Sequence, residues 1–404
     1  MRASNVDPIV NAAESHGAWR MLATLAVAEF FGMTLWFSAT AVTPLLVDEF
    51  RMSLAHASWL TIAVQAGFVV GTLGSAMANL ADVLNARMLF FLGAVAGALT
   101  NAAVLVASSS SSVILLRFLT GAALACVYPP GMKIAAGWFR ERRGLALGVL
   151  IGALTLGKAF PYLLNAVYGQ SWREPMLASS ALSIVGGVLV LLIVRDGPFV
   201  SATAPFDPHA IRKLVRVRGA RLATFGYLGH MWELYAMWTW IAVLATSSFA
   251  AAGMGRPAAA GSLAAFLAIG SGTAGCALAG WFADTLGRAR VAIWAMWTSA
   301  ACAALTSLVF GGPPLWLFIL AMIWGFSVVA DSAQFSALVS EYSPADHVGT
   351  ALTLQTCLGF LLTMVTIEML PRVAAIVSWR YASLILVPGP LLGIAAMRKL
   401  PRDR

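Results

Sequence analysis

Two stretches decide how this chain is read: Val27-Ala28-Glu29-Phe30-Phe31-Gly32-Met33-Thr34-Leu35-Trp36 and Met231-Trp232-Glu233-Leu234-Tyr235-Ala236-Met237-Trp238-Thr239-Trp240. Each carries one glutamate in an apolar run, with a tryptophan seven residues later, and the two lie 204 residues apart. A carboxylate placed in lipid-facing sequence costs roughly 2.5–3.5 kcal/mol on insertion scales. Two of them at matched places point to a polar cavity between two halves of a membrane protein.

Working outward, the same spacing recurs. Gly71 and Gly275 are 204 apart, Asp82 and Asp284 are 202 apart, and Gly144 and Gly349 are 205 apart. Ser171-Trp172-Arg173 returns as Ser378-Trp379-Arg380 after 207 residues. Apolar runs bounded by charge, Gly or Pro predict spans at 19–46, 57–79, 88–107, 113–136, 145–167 and 175–194. A second set follows at 221–247, 260–283, 291–310, 315–339, 349–370 and 381–397. The sequence therefore predicts an all-α integral membrane protein with twelve transmembrane helices in two pseudo-symmetric six-helix bundles. An even number of spans per unit inserts both copies the same way up. The expected divisions are a tail at 1–17, a bundle at 18–194, a basic linker at 195–220, a bundle at 221–397 and a tail at 398–404.

Composition agrees. The chain has 404 residues, 60% of them hydrophobic and 11% charged, where a soluble domain carries about 25% charge. The net charge of +9 does not imply nucleic acid, because of where the charges fall. Eighteen of the 26 Lys and Arg lie on one set of alternating loops and five on the other. That asymmetry is the positive-inside pattern, and it predicts a plasma (inner) membrane protein with both termini in the cytoplasm. The excess charge is then orientation and contact with anionic lipid. Cys126, Cys276, Cys302 and Cys357 all fall within predicted spans without metal-ligand spacing, so neither a disulfide nor a metal is expected. The first 17 residues lack the pattern of a signal peptide, so the first span is expected to remain as a helix.

The loop Gly280-Trp281-Phe282-Ala283-Asp284-Thr285-Leu286-Gly287-Arg288-Ala289-Arg290 resembles the G-x-x-x-D-x-x-G-R-x-[RK] motif of the major facilitator superfamily. The first copy, Asn79 to Arg87, keeps Asp82 and a basic residue but lacks the glycine before it. Arg117-Phe118-Leu119-Thr120-Gly121 is similar to the family's R-x-x-x-G element. The fifth-span G-P-x-x-G-G signature of many drug/proton antiporters is absent. The resemblance covers residues 18–397 and implies a secondary transporter working by alternating access as a monomer. It also implies gating roles for Asp82 with Arg87, and for Asp284 with Arg288 and Arg290.

Glu29 and Glu233 fall near the middle of their spans, and in the family the first and seventh helices line the central cavity. Removal from water favours the neutral form of such a group, so both are candidates to take up and release a proton. Asp331 in the tenth span is a third candidate, with Gln334 one turn away as a substrate contact. His230 shares a helix face with Glu233, and a lone pair of this kind relays protons sooner than it binds a metal. Arg117 and Lys158 supply positive charge for a substrate anion, and Trp36 and Trp240 are expected in the pocket because they repeat.

The reading is proton-coupled transport of a small organic solute, favouring symport of an organic anion or zwitterion. Its alternative is proton-exchanged efflux of a lipophilic or cationic compound. A non-transporting sensor is a reading of a different class. No enzyme constellation and no nucleotide-binding loop is present, so neither catalysis nor a cofactor is expected.

Overall fold

The computed structural model describes residues 8–140, 142–169, 171–199, 207, 208 and 210–401. Twelve helices among them are long and apolar enough to cross a membrane. In chain order they are α1 (His16–Ala41), α2 (His56–Met77), α3 (Ala86–Val106), α4 (Ser110–Trp138), α5 (Gly144–Tyr168) and α6 (Arg173–Leu192). The second set is α7 (Arg218–Ala251), α8 (Pro257–Leu286), α9 (Arg288–Val309), α10 (Pro314–Tyr342), α11 (Val348–Val377) and α12 (Trp379–Met397). In lipid every backbone polar group must bond within its own element, which is why apolar runs of this length form helices. Local chemistry sets several starts. Asn85 accepts the Arg87 amide at 2.9 Å ahead of α3, Ser109 and Ser112 form a capping box at α4, and Pro257 and Pro314 occupy the first turns of α8 and α10.

The two sets pack alike. α1 lies against α5 and α6 as α7 lies against α11 and α12, and α2 crosses α4 as α8 crosses α10. These crossings are close. A Cβ on Gly121 of α4 would overlap the Val64 carbonyl of α2, and one on Gly325 of α10 would overlap the Ala268 carbonyl of α8. Gly121 and Gly325 are themselves 204 residues apart, so the duplication extends to the contacts that seat the helices.

The structure departs from the expected spans at two kinds of place. The first span, expected to run to residue 46, stops at Ala41, and a short helix Thr43–Glu49 follows with Pro44 in its first turn. The fourth and tenth spans, expected to be continuous, are each broken. α4 consists of Ser110–Leu124 and Tyr128–Trp138, and α10 of Pro314–Ala330 and Ser332–Tyr342. Pro129 and Pro130 at the start of the second piece of α4 lack amide hydrogens and disfavour helix before them. The breaks at Val127 and Asp331 are again 204 residues apart.

The halves meet along α5 with α8, α2 with α11, and α1 with α7. Hydrogen bonds cross this seam. The Tyr162 hydroxyl donates to the Trp238 carbonyl at 2.8 Å, Asn165 Nδ2 donates to Ser262 Oγ at 2.8 Å and Thr273 Oγ1 donates to the Gly152 carbonyl at 3.0 Å. Thr363 of α11 donates to Gln65 Oε1 of α2. Among the described residues no carboxylate–cation pair crosses it. Between the sets the basic stretch holds a short helix, Ala210–Arg216, with Leu214 buried and Arg212, Lys213 and Arg216 exposed. It packs on α7 and α11, and the Asp207 amide donates to Thr350 Oγ1 at 3.0 Å.

Candidate functional site

At the centre of the seam lies Lys158 of α5, 3% exposed. Its neighbour Gly157 lets α5 approach α1 closely, since a Cβ there would overlap the Phe30 carbonyl. The Lys158 ammonium donates to the Tyr235 hydroxyl of α7 at 2.5 Å. It stands 4.1 Å from the ring centre of Trp36, 4.9 Å from that of Tyr235 and 5.6 Å from that of Trp238. Cation–ring attraction of this kind reaches about 2 kcal/mol when water is excluded. Phe68 and Phe360 close the wall, their ring centres 5.0 and 5.6 Å from Trp36. Among the described residues no carboxylate lies in ion-pair range of Lys158. The centre is thus one cation held by aromatic faces from both halves.

The two glutamates, equivalent in sequence, are not equivalent in space, and they do not face one another across a cavity as expected. Glu29 turns towards α3 and α4. It is fully buried, near Phe90 and Gly131, and neither carboxylate oxygen has a hydrogen-bond partner. A Cβ on Gly131 would stand 2.5 Å from Glu29 Oε2, so the glycine that follows the α4 break makes room for the carboxyl. Glu233 turns into the second half. Its Oε2 accepts from Ser299 Oγ of α9 at 2.5 Å, and its Oε1 accepts from Trp324 Nε1 of α10 at 2.6 Å. Helix register carries the repeat, but the hydrogen bonds do not: Glu29 has no counterpart to the donors Ser299 and Trp324.

The same asymmetry divides the tryptophans. Trp36 lies against the Lys158 ammonium, whereas Trp240 donates to the Ile367 carbonyl at 2.9 Å and packs on Trp379 inside its own half. Trp240, expected in the pocket, thus stands apart from the Lys158 ring cluster. Tyr235 and Trp238, three residues apart on one face of α7, take that place.

About one and a half turns from Tyr235, His230 Nδ1 stands 2.8 Å from Asp331 Oδ1, both side chains buried, at the break in α10. His230 Nε2 and the nearby Gln334 Oε1 have no hydrogen-bond partner. His230 thus pairs with Asp331 of α10, while Glu233, its neighbour on one helix face, is held by α9 and α10.

Arg117 is fully buried, but its guanidinium makes no hydrogen bond to the Lys158 cluster's side chains. All five of its guanidinium donors are used inside the first half. They go to the carbonyls of Leu35 (3.0 Å), Trp36 (2.7 Å) and Leu60 (3.4 Å), to Asn101 Oδ1 (2.7 Å) and to Ser38 Oγ (3.2 Å). It clamps α1, α2, α3 and α4 together, in place of the substrate contact expected of it.

The loop residues pair differently from the expectation. Arg87 meets Asp196 at 3.4 Å and the Val194 carbonyl at 3.1 Å, while Asn85 also donates to Asp196. Arg288 meets Glu341 at 2.6 Å. Asp284 is exposed, with no ion-pair partner among the described residues, and Arg290 is exposed. The side chain of Asp82 lies outside the described residues. Each pair that forms ties helices of a single half.

A family model described as "Major Facilitator Superfamily" matches residues 25–256, more than half of the chain. The chain belongs to the major facilitator superfamily. Over 180 residues it is 26% identical to a hexuronate transporter of Escherichia coli strain K12, a match covering 44% of this chain and 41% of that protein. Over 170 residues it is 25% identical to a galacturonate transporter of Dickeya chrysanthemi, covering 41% of this chain and 49% of that one. The matched stretch therefore spans less than half the length of either relative. The fold is similar to a crystal structure of the nucleoside transporter NupG, with a TM-score of 0.70 at 15% identity, covering 94% of this chain and 99% of that one. Family and relatives are transporters, not enzymes.

Within this superfamily member the residues around Lys158 missed in the sequence are Phe68, Phe360 and Gln65. The available signal was Lys158 itself: an ammonium in an apolar span needs partners, and the Tyr/Trp pair at i and i+3 on α7 was a ready source.

Proposed function

We propose that this protein carries a small organic anion across the plasma membrane together with a proton, by alternating access of its two halves. The observation that supports this most is Lys158, a buried cation contacted from both halves with no carboxylate of the described residues within ion-pair distance. A substrate carboxylate supplies the opposite charge and exchanges for the Tyr235 hydroxyl, releasing a bond between α5 and α7. Glu29 is the proton site favoured by geometry. A carboxylate sealed from water without hydrogen-bond partners carries its charge at a cost of several kcal/mol, and a bound proton removes that cost. Asp331 with His230 forms a second proton-handling pair, and Gln334 beside it is a further polar contact. Glu233 is assigned to anchoring. Arg87 with Asp196 and Arg288 with Glu341 hold helix ends within each half, and the positive-inside charge pattern supports an orientation with both termini in the cytoplasm. The protein works as a monomer in contact with anionic lipid.

The names of the matched relatives, hexuronate and galacturonate transporters, accord with an anionic solute. The second reading is exchange of a lipophilic cation for protons. The ring cluster that holds the Lys158 ammonium favours it, since the same faces attract any cation.

The test is lumen pH in dye-loaded proteoliposomes after external addition of carboxylates, with protein-free vesicles correcting for passive entry. Acidification that requires Lys158 supports anion–proton symport. Alkalinisation of an acid-loaded lumen on adding a lipophilic cation, with no response to carboxylates, replaces it with exchange.

A further inference from the structure

The ring cluster around Lys158 and its hydrogen-bond inventory narrow the substrate further. Around Lys158 stand Trp36, Phe37, Phe68, Tyr235, Trp238 and Phe360, linked by ring-centre distances of 5.0 to 6.3 Å. Of these six side chains only Tyr235 carries an oxygen, and its hydroxyl is engaged by Lys158. On the ring cluster and on Gln65 the unpartnered groups are donors: the indole N–H of Trp36, the indole N–H of Trp238, and Gln65 Nε2 one turn from Phe68 on α2, while the unpartnered Glu29 oxygens are turned away against Gly131 of α4. The oxygen of that Gln65 amide is already occupied by Thr363, and the Thr40 and Thr61 hydroxyls bond to each other at 2.7 Å.

A site with one cation, spare donors, engaged acceptors and flat apolar walls selects by what it leaves unpaired. Each sugar hydroxyl buried there needs an acceptor, and a hydroxyl buried without one costs about 1–3 kcal/mol. A hydroxyl-rich acid bears several. A carboxylate on a planar apolar body asks for none: its oxygens take the Lys158 ammonium and the indole donors, and its body stacks between rings. Resting on the anion reading above, we infer that the substrate class of this protein is an aromatic monocarboxylate, in place of the sugar acids named for its matched relatives.

The experiment is calorimetric titration of the purified full-length protein in detergent at pH 7. The probes are benzoate, cyclohexanecarboxylate, D-glucuronate, D-galacturonate and tetraphenylphosphonium. Benzoate is expected to bind at least tenfold more tightly than either sugar acid, with cyclohexanecarboxylate between them. Lys158→Met is expected to weaken benzoate at least tenfold, and Trp36→Leu to weaken benzoate more than cyclohexanecarboxylate. Thermal unfolding of each variant identifies any that is misfolded, and Tyr235→Phe then serves as the gentler probe of the same ammonium. A sugar acid binding as tightly as benzoate, in a Lys158-dependent way, overturns the aromatic inference and leaves the anion reading standing. Binding of tetraphenylphosphonium with neither class of carboxylate, or no binding of any carboxylate, overturns both.

Discussion

Replacing Arg117 by lysine tests whether this buried cation is a clamp or a ligand. The guanidinium uses five donors on five acceptors drawn from α1, α2 and α3. A lysine ammonium has three donors and converges on one point, so at least two of the five bonds are lost. Hydrogen bonds to a charged group contribute about 1.5–3 kcal/mol each, which places the loss near 3–6 kcal/mol. The lower half of that range is expected, because the Leu35, Trp36 and Leu60 carbonyls keep helix partners. The assay is equilibrium unfolding of the detergent-solubilised protein in mixed micelles, with ligand affinity measured on the fraction that remains folded. Arg117→Lys is expected to lose about 3–4 kcal/mol with ligand affinity within threefold of wild type. An Arg117→Lys protein as stable as wild type to within about 1 kcal/mol, but tenfold weaker for ligand, would refute the clamp and return Arg117 to the substrate.

Glu29→Gln is expected to abolish uptake driven by a pH gradient while leaving substrate counterflow intact in proteoliposomes; full gradient-driven uptake would remove Glu29 from the proton path. Glu233→Gln is expected to keep driven uptake and lose about 1–3 kcal/mol of stability, because the amide keeps one acceptor oxygen for the donor-only Trp324 N–H and Ser299 must turn from donor to acceptor, so both charge-assisted bonds are lost. Loss of driven uptake without loss of stability would count against the anchor. Gly121→Ala and Gly325→Ala are each expected to cost about 1–3 kcal/mol by pushing a Cβ into a facing carbonyl. Gly74→Ala, where the Cβ meets nothing within 4 Å, serves as the control and should unfold like wild type.

The number of spans, their order and the duplication were legible because hydropathy and spacing are properties of the chain itself. Glu29 and Glu233 were rightly matched as positions, yet their surroundings differ. The partners of Glu233 come from Ser299 and Trp324, which lie 66 and 91 residues away along the chain. No repeat in α1 and α7 announces what α9 and α10 will offer. The role of Arg117 was misread for the same reason: Asn101 and Ser38 are ordinary residues in isolation and become an anion-like nest only when three helices converge. The break in α4 had a signal in Pro129-Pro130, whereas the break at Asp331 had none beyond its offset of 204 from Val127. Tyr235 and Trp238 outrank Trp240 because helix rotation, which a sequence repeat does not fix, decides which ring faces the seam.

The seam between the halves holds no carboxylate–cation pair among the described residues, only neutral hydrogen bonds, ring contacts and the single ammonium of Lys158. Mobile ions screen exposed charges over about 8–10 Å at physiological ionic strength, and a seam built this way gives them little to act on. The swing of one half against the other should therefore run at the same rate in dilute buffer and in strong brine. Any dependence of turnover on salt then reports events at the membrane surface, where the basic loops gather anions, and so separates capture of the solute from the step that carries it across.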